Sequence, residues 1–287
     1  MSDSLTSTKP SLWLPTSYQD LNNLPAEAIV YEPKLGGSKV VRTARDVVVK
    51  YRGDLAEEVL CLKYAQEKLS IRVPLVLYHP GDPHRSTLWD PRTEQVPQVW
   101  YICMEEIPGV QLKEVIETFD LQQLEHVALQ IKAILADMRS VRATHLGSVS
   151  GGPFRNSYFF PHAVSPQRSW TSVSEFINHY HHLLMIFGTE EYADEALANF
   201  PRDSPIRFTH GDLVPRNILV DGSTITGIVD WSMAGFYPEF WEYCRMHEES
   251  EQSTGWAKVL DIVFPGPRRD NEIASLHRLM GTLLYNL

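Results

Sequence analysis

An acceptor-only carboxylate, Asp212, and an amide that both donates and accepts, Asn217, lie five residues apart in the run His210-Gly211-Asp212-Leu213-Val214-Pro215-Arg216-Asn217-Ile218-Leu219-Val220-Asp221. A further carboxylate, Asp230, comes later in Ile225-Thr226-Gly227-Ile228-Val229-Asp230-Trp231. These residue types suit phosphoryl transfer from ATP. That chemistry needs a carboxylate to orient a hydroxyl and accept its proton, and oxygen ligands to hold Mg²⁺ against the phosphates. An Asp and an Asn at this spacing on a tight loop can face one cleft. The apolar run Ile218-Leu219-Val220, the turn residues Asp221-Gly222-Ser223 and the run from Ile225 to Val229 read as a hairpin. That hairpin would return Asp230 to the side of Asn217, so that the three polar groups converge between strands that fix them. Singly, Asp, Asn and Gly are common turn residues. The joint pattern over about twenty residues carries the reading.

The two runs together resemble the aminoglycoside phosphotransferase and choline-kinase-like family, within the protein-kinase-like superfamily. The protein-kinase catalytic loop has the same Asp-to-Asn spacing, with His-Arg-Asp where this chain has His210-Gly211-Asp212. The resemblance implies that Asp212 is the catalytic base, that Asn217 and Asp230 are magnesium ligands, and that His210 braces the loop. It implies an α+β, bilobal protein-kinase-like fold, with a β-rich nucleotide-binding lobe at 1–107 and a mainly helical catalytic and acceptor-binding lobe at 108–287.

A lobe of that kind places a lysine on a strand to hold the α/β-phosphates and pairs it with a glutamate on the next helix. Lys50 ends the run Val47-Val48-Val49, and strand alternation puts it on the face of Val48, an apolar face where a lysine wants a partner. Glu57 and Glu58 come next on a helical stretch, and the family's distance to Ile71-Arg72-Val73-Pro74 favours Glu58. The stretch Ile102-Cys103-Met104-Glu105-Glu106-Ile107-Pro108-Gly109 resembles the family's hinge. Met104 would flank the adenine pocket, and Glu105 to Ile107 would offer backbone groups. Gly36-Gly37-Ser38 stands where a phosphate-covering turn belongs, with Gly37 and Ser38 near the phosphates. Three positions depart from the pattern: Val214 stands where protein kinases carry lysine, Ser232 where relatives often carry an acid, and the glycine turn is minimal.

The elements that must hold these residues are legible from period and punctuation. Short β-prone runs at 39–42 and 47–50 flank a turn at Ala44-Arg45-Asp46, and strands are expected at 75–78 and 99–104. Helices are expected at 55–69, 121–141, 172–187, 237–247 and 271–285. On the second of these, Leu121, Leu124, Val127, Ile131, Leu135 and Met138 form one face. Residues 79–98, with four prolines, read as a long loop. The segment Tyr237-Pro238-Glu239-Phe240-Trp241-Glu242-Tyr243 resembles the stretch after the metal aspartate in fungal members of the family, and its role reads as structural. In relatives the region 142–205 builds the acceptor pocket; here it is dense in aromatics, Phe154, Tyr158, Phe159, Phe160, Trp170, Phe176 and Tyr180, which divide between core and pocket. His179, His181 and His182 read as solvated helix residues, since adjacent positions cannot share a helix face.

Composition narrows the class. The 287 residues carry 36 acidic and 26 basic side chains, a formal net charge of -10, which disfavours a nucleic-acid partner but not a nucleotide in a cleft. Cys61, Cys103 and Cys244 have no metal or disulfide spacing and read as packed thiols. No basic-then-apolar leader opens the chain and no run approaches membrane-spanning length, so a cytoplasmic protein without a membrane partner is expected. The function implied by the resemblance is ATP- and Mg²⁺-dependent phosphoryl transfer to a hydroxyl of a small-molecule acceptor. The alternative is an inactive or repurposed kinase-like protein that binds a nucleotide or metabolite.

Overall fold

The computed structural model describes residues 13–32, 38–51, 55–80, 101–155 and 166–285. Gly37 and most of the expected loop at 79–98 fall outside them, as do Tyr158, Phe159 and Phe160. In chain order the elements are α1 (Tyr18–Asn22), β1 (Ile29–Tyr31), β2 (Lys39–Ala44), β3 (Val47–Tyr51), α2 (Ala56–Lys68), β4 (Val76–Tyr78), β5 (Tyr101–Glu105), β6 (Val110–Gln111), α3 (Leu112–Val115), α4 (Leu121–Ser140), α5 (Val173–Phe187), α6 (Glu190–Leu197), β7 (Ile206–Thr209), β8 (Ile218–Asp221), β9 (Thr224–Ile228), β10 (Gly235–Pro238), α7 (Phe240–Met246), α8 (Thr254–Val263) and α9 (Asp270–Tyr285).

The chain divides into two compact units, Met1–Leu55 with Val76–Glu106, and Ala56–Leu75 with Ile107–Leu287. The sequence pattern predicts a single cut, at 107/108. The two units meet in sequence at Glu106 and Ile107, and residues 56–75 fall in the second unit. The reason is packing. Val59, Cys61, Leu62 and Ala65 of α2 are buried, and the Cys61 thiol lies 3.4 Å from the carbonyl of Ala234. Glu57 accepts a hydrogen bond from the Ser148 hydroxyl, and the Arg72 carbonyl accepts from the Ile228 amide at 3.2 Å.

The first unit is an antiparallel five-stranded sheet in the order β1-β2-β3-β5-β4. The β2–β3 turn is tight, with Ala44 paired to Val47 and Asp46 in the left-handed region at φ 61°, which Asp tolerates better than most residues. Val41, Val47, Val49, Tyr51, Tyr101 and Cys103 form a core with Leu21 of α1.

The second unit is mainly helical. Asp120 and Gln123 form a reciprocal cap on α4, at 2.8 and 3.0 Å, and Leu124, Val127, Ile131, Leu135 and Met138 are buried as the spacing predicts. Leu121, expected on that face, is exposed at the first turn. A large core gathers residues of α5, α6, α7 and α9 around Trp170, Phe176, Tyr237 and Trp241. Phe154, Trp170, Phe176 and Tyr180 all belong to it, so these four aromatics of the expected acceptor region are core residues. His181 meets Asp194 at 2.9 Å and His179 lies against the Trp170 ring at 5.0 Å. Two small sheets, β7–β10 and β6-β8-β9, flank the loop that carries Asp212 and Asn217. The helix expected from 237 starts instead at Phe240, because Gly235 to Pro238 pair in register with Thr209 to Ile206.

Candidate active site

Strand β7 delivers His210 and the loop beyond it. Gly211 then takes φ +81°, and a Cβ there would stand 2.5 Å from the carbonyl oxygen of Met233. Only glycine fits, on both conformational and steric grounds. The loop closes on itself: the Val214 amide donates to the Asp212 carbonyl and the Asn217 amide to the Val214 carbonyl, both at 2.9 Å. Pro215 opens the single 3-10 turn Pro215–Asn217, where its fixed φ and missing N–H cost nothing.

His210 is fully buried between two backbone groups. Its Nε2 donates to the Val229 carbonyl at 3.1 Å and its Nδ1 accepts from the Asp212 amide at 3.2 Å. Only the neutral Nε2–H tautomer satisfies both contacts. Burial pushes the imidazole's proton affinity down, which favours that neutral form. The ring also meets the Trp231 indole edge-on at 4.6 Å. His210 therefore ties the two sequence runs together, in the bracing position the resemblance implies.

Asp212 is buried and its carboxylate is heavily engaged. Oδ2 accepts from Arg216 at 2.5 Å and from the Asn217 side-chain amide at 2.8 Å, and Oδ1 accepts from Arg245 at 3.2 Å. The same Asn217 nitrogen donates to the Asp212 carbonyl at 2.8 Å. Arg216 continues to Glu251 at 2.6 Å, which also meets Lys113 at 3.4 Å. Such a charge-assisted network fixes the carboxylate's direction.

The hairpin forms as expected. Ile218 pairs with Ile228 and Asp221 with Thr224, and Gly222 at φ +57° supplies the positive φ that a two-residue turn needs. The Val229 amide donates to the Asn217 carbonyl at 2.9 Å, which holds the residue before Asp230 beside Asn217. Asp230 itself lies in the left-handed region, at φ 63°, and its Oδ1 accepts from the Ser232 hydroxyl at 2.7 Å. Ser232, standing where relatives often carry an acid, thus orients the aspartate. With the Asn217 nitrogen committed to Asp212, its Oδ1 and the Asp230 carboxylate are hard oxygen donors of the type that suits Mg²⁺, which takes one or two protein oxygens and fills its shell with water and phosphate. Among the described residues no three His, Cys, Asp or Glu side chains cluster as a metal site.

The remaining residues named from the sequence fall in both units. In the first, Lys50 is buried on β3, opposite Ile102 on β5; Met104 is buried on β5, Glu105 ends that strand and Ser38 precedes β2 half-buried. In the second, Glu58 is buried on α2. Ile107 is buried against Gly227, where a Cβ would approach its Cγ2 to 2.9 Å, and the next residue's carbonyl accepts from Thr226 at 2.5 Å.

Two residues of the loop's surroundings lie outside the set named from the sequence. Glu242 and Arg245 lie on α7, in a segment read as merely structural. Glu242 accepts from the amides of His210, Gly211 and Leu213 at 2.6, 3.3 and 3.4 Å. Burial outweighs these donors and pushes its carboxyl up to about 7. The available clue was an ionisable residue at each end of Glu242-Tyr243-Cys244-Arg245 inside an otherwise apolar run.

Comparison with known proteins bears on the fold and the family. No curated protein sequence matches the chain. Solved structures do: aminoglycoside phosphotransferase APH(4)-Ia superposes with a TM-score of 0.61 at 16% identity, covering 90% of this chain and 86% of that one. Aminoglycoside-3'-phosphotransferase of type VIII gives 0.55 at 17% identity, over 93% and 97%. The GDP and kanamycin complex of APH(2")-IIia gives 0.56 at 13% identity, over 93% and 88%. These likenesses establish the protein-kinase-like fold. No helix among the described residues is long and apolar enough to cross a membrane. Residues 29–269 match the family described as "Phosphotransferase enzyme family", and with most of its length inside that match the chain belongs to this family.

Proposed function

We propose that the protein is an ATP- and Mg²⁺-dependent phosphotransferase that moves a phosphoryl group to a hydroxyl of a small molecule. The observation that supports this most directly is the double hydrogen bond from Asn217 to Asp212, with Val229, the residue before Asp230, bound through its amide to the Asn217 carbonyl. In this reading the acceptor hydroxyl oxygen attacks the γ-phosphorus while the bond from that phosphorus to the β–γ bridging oxygen breaks. ADP leaves, and the hydroxyl proton passes to Asp212. The transition state is loose, so Asp212 mainly orients the nucleophile and takes its proton late. Asn217 and Asp230 hold the cation, which when bound offsets phosphate charge. Lys50, Glu58, Met104, Glu105, Ile107, Gly37 and Ser38 serve the nucleotide.

Among the solved relatives, one APH(4)-Ia structure is a ternary complex with AMP-PNP and hygromycin B. A nucleotide and a second small molecule held together in that complex support the same two classes of substrate here. The test is thermal shift with ATP and Mg²⁺, followed by ATP turnover against a panel of hydroxylated metabolites. Acceptor-dependent ADP release that disappears in Asp212→Asn is expected. Nucleotide binding with equal, background turnover in wild type and Asp212→Asn would instead mark a nucleotide-binding protein without transferase activity.

A further inference from the structure

Helix α7 presents two buried charges to the catalytic loop, three positions apart. Glu242 takes the amides of His210, Gly211 and Leu213. Arg245 takes the loop's acceptors: its Nε donates to the Gly211 carbonyl at 3.2 Å and its Nη2 to Asp212 Oδ1 at 3.2 Å. Arg245 Nη1 pairs with Glu248, one turn further along.

A buried carboxylate and a buried guanidinium are unfavourable unless each finds a full set of partners. Here those partners are mostly the loop itself. The left-handed Gly211 explains the division of labour. Its turn carries the amides of 210, 211 and 213, and its own carbonyl, out of the regular strand and helix ladders. Glu242 satisfies the donors and Arg245 the acceptor. Arg245 is also the group that joins the Gly211 backbone to the Asp212 side chain, so one guanidinium sets the carboxylate relative to the main chain.

We propose that Glu242 and Arg245 are positioning residues, which together fix the backbone of residues 210–213 and the direction of the Asp212 carboxylate. Neither contacts nucleotide or acceptor in this reading: Glu242 acts through the loop backbone, and Arg245 through the Gly211 carbonyl and the Asp212 carboxylate that it holds. The inference deepens the phosphotransferase reading and rests on it for its kinetic consequence, though not for the structural one.

Full-length Glu242→Gln and Arg245→Lys variants test it by two readouts. The first is amide hydrogen exchange over residues 207–219. Both variants are expected to exchange at least about tenfold faster there, with the rest of the chain unchanged. The second is steady-state kinetics with ATP and an acceptor. A loss of about 10- to 100-fold in kcat is expected, with the KM for ATP within about threefold, as for a catalytic group moved by a fraction of an ångström. Unchanged loop exchange with unchanged kcat overturns the proposal. So does faster exchange throughout the chain with kcat and KM falling together, since that describes general destabilisation. If Glu242→Gln does not fold, Arg245→Lys decides by the same measurements. If wild type transfers phosphate to no acceptor, the functional reading fails, and the exchange data still decide the positioning role.

Discussion

The side-chain amide of Asn217 donates to both the backbone carbonyl and the carboxylate of Asp212, each at 2.8 Å. One planar group thereby closes the loop and turns its own carbonyl oxygen away from Asp212. Asn217→Ala removes both bonds and that oxygen. We predict a kcat lower by at least about 10²-fold and a half-saturating Mg²⁺ concentration raised by at least about tenfold, because ligand and loop strap are lost together. A Mg²⁺ titration of turnover measures both; an unchanged Mg²⁺ dependence would remove Asn217 from the metal site.

Asp212→Asn keeps shape and volume but cannot accept the acceptor's proton. Turnover should fall by ~10²–10⁴-fold. Nucleotide affinity should stay within a few-fold, since the proposed mechanism sets this carboxylate on the acceptor side of the reaction. Full activity in the variant would sink the proposed mechanism.

Lys50 is a cation buried on a strand whose five residues are all buried. Lys50→Met keeps the apolar stem and removes the charge. The fold should persist, while nucleotide affinity drops at least about tenfold, the value of one charge-assisted hydrogen bond. Calorimetric titration with ATP and Mg²⁺ checks this, and wild-type affinity would end the assignment of Lys50 to the phosphates.

Gly211→Ala places a Cβ 2.5 Å from the Met233 carbonyl oxygen at φ +81°. We expect a stability loss of roughly 1–3 kcal/mol, typical of a side chain forced into a sparsely populated backbone region. Denaturant unfolding measures it. A variant as stable as wild type would show that the turn relaxes into another shape.

Glu242 titrates near 7 in the folded protein, raised by burial and by the neighbouring Asp212 charge. A carboxyl whose folded affinity for protons exceeds its unfolded one makes the native state bind more protons. Its contribution is complete below about 4.5 and is lost as pH rises through about 7, on the order of 3 kcal/mol in all. Melting curves of wild type and Glu242→Gln should therefore shift relative to one another between these two pH values, in favour of Gln as pH rises. A difference in Tm independent of pH would contradict the raised affinity.

Short-range pattern encodes a good part of this site. The Asp-to-Asn spacing, the turn at Gly222 and the β-branched runs on either side specify a loop and then a hairpin, so the approach of Asp230 toward Asn217 is legible in the chain alone. The apolar face of α4 and the span of α5 are legible for the same reason. Period is a local property. Strand β10 and helix α8 were not legible. Gly235 to Pro238 is a strand only because β7 lies beside it, and the first turn of α8 holds Gly255, where a Cβ would press to 2.9 Å on the Ile116 carbonyl. The cut at 107/108 missed that α2 joins the later unit, since the Cys61–Ala234 contact spans 173 residues of chain. Glu242 and Arg245 are the clearest case. Their sequence neighbours describe an apolar helix with two charges, and nothing within a few residues states what those charges face. Their partners lie 29 to 34 positions upstream in the loop. Only folding brings buried amides, a carbonyl and a carboxylate onto that helix, and the need to satisfy those groups away from water gives each charge its role.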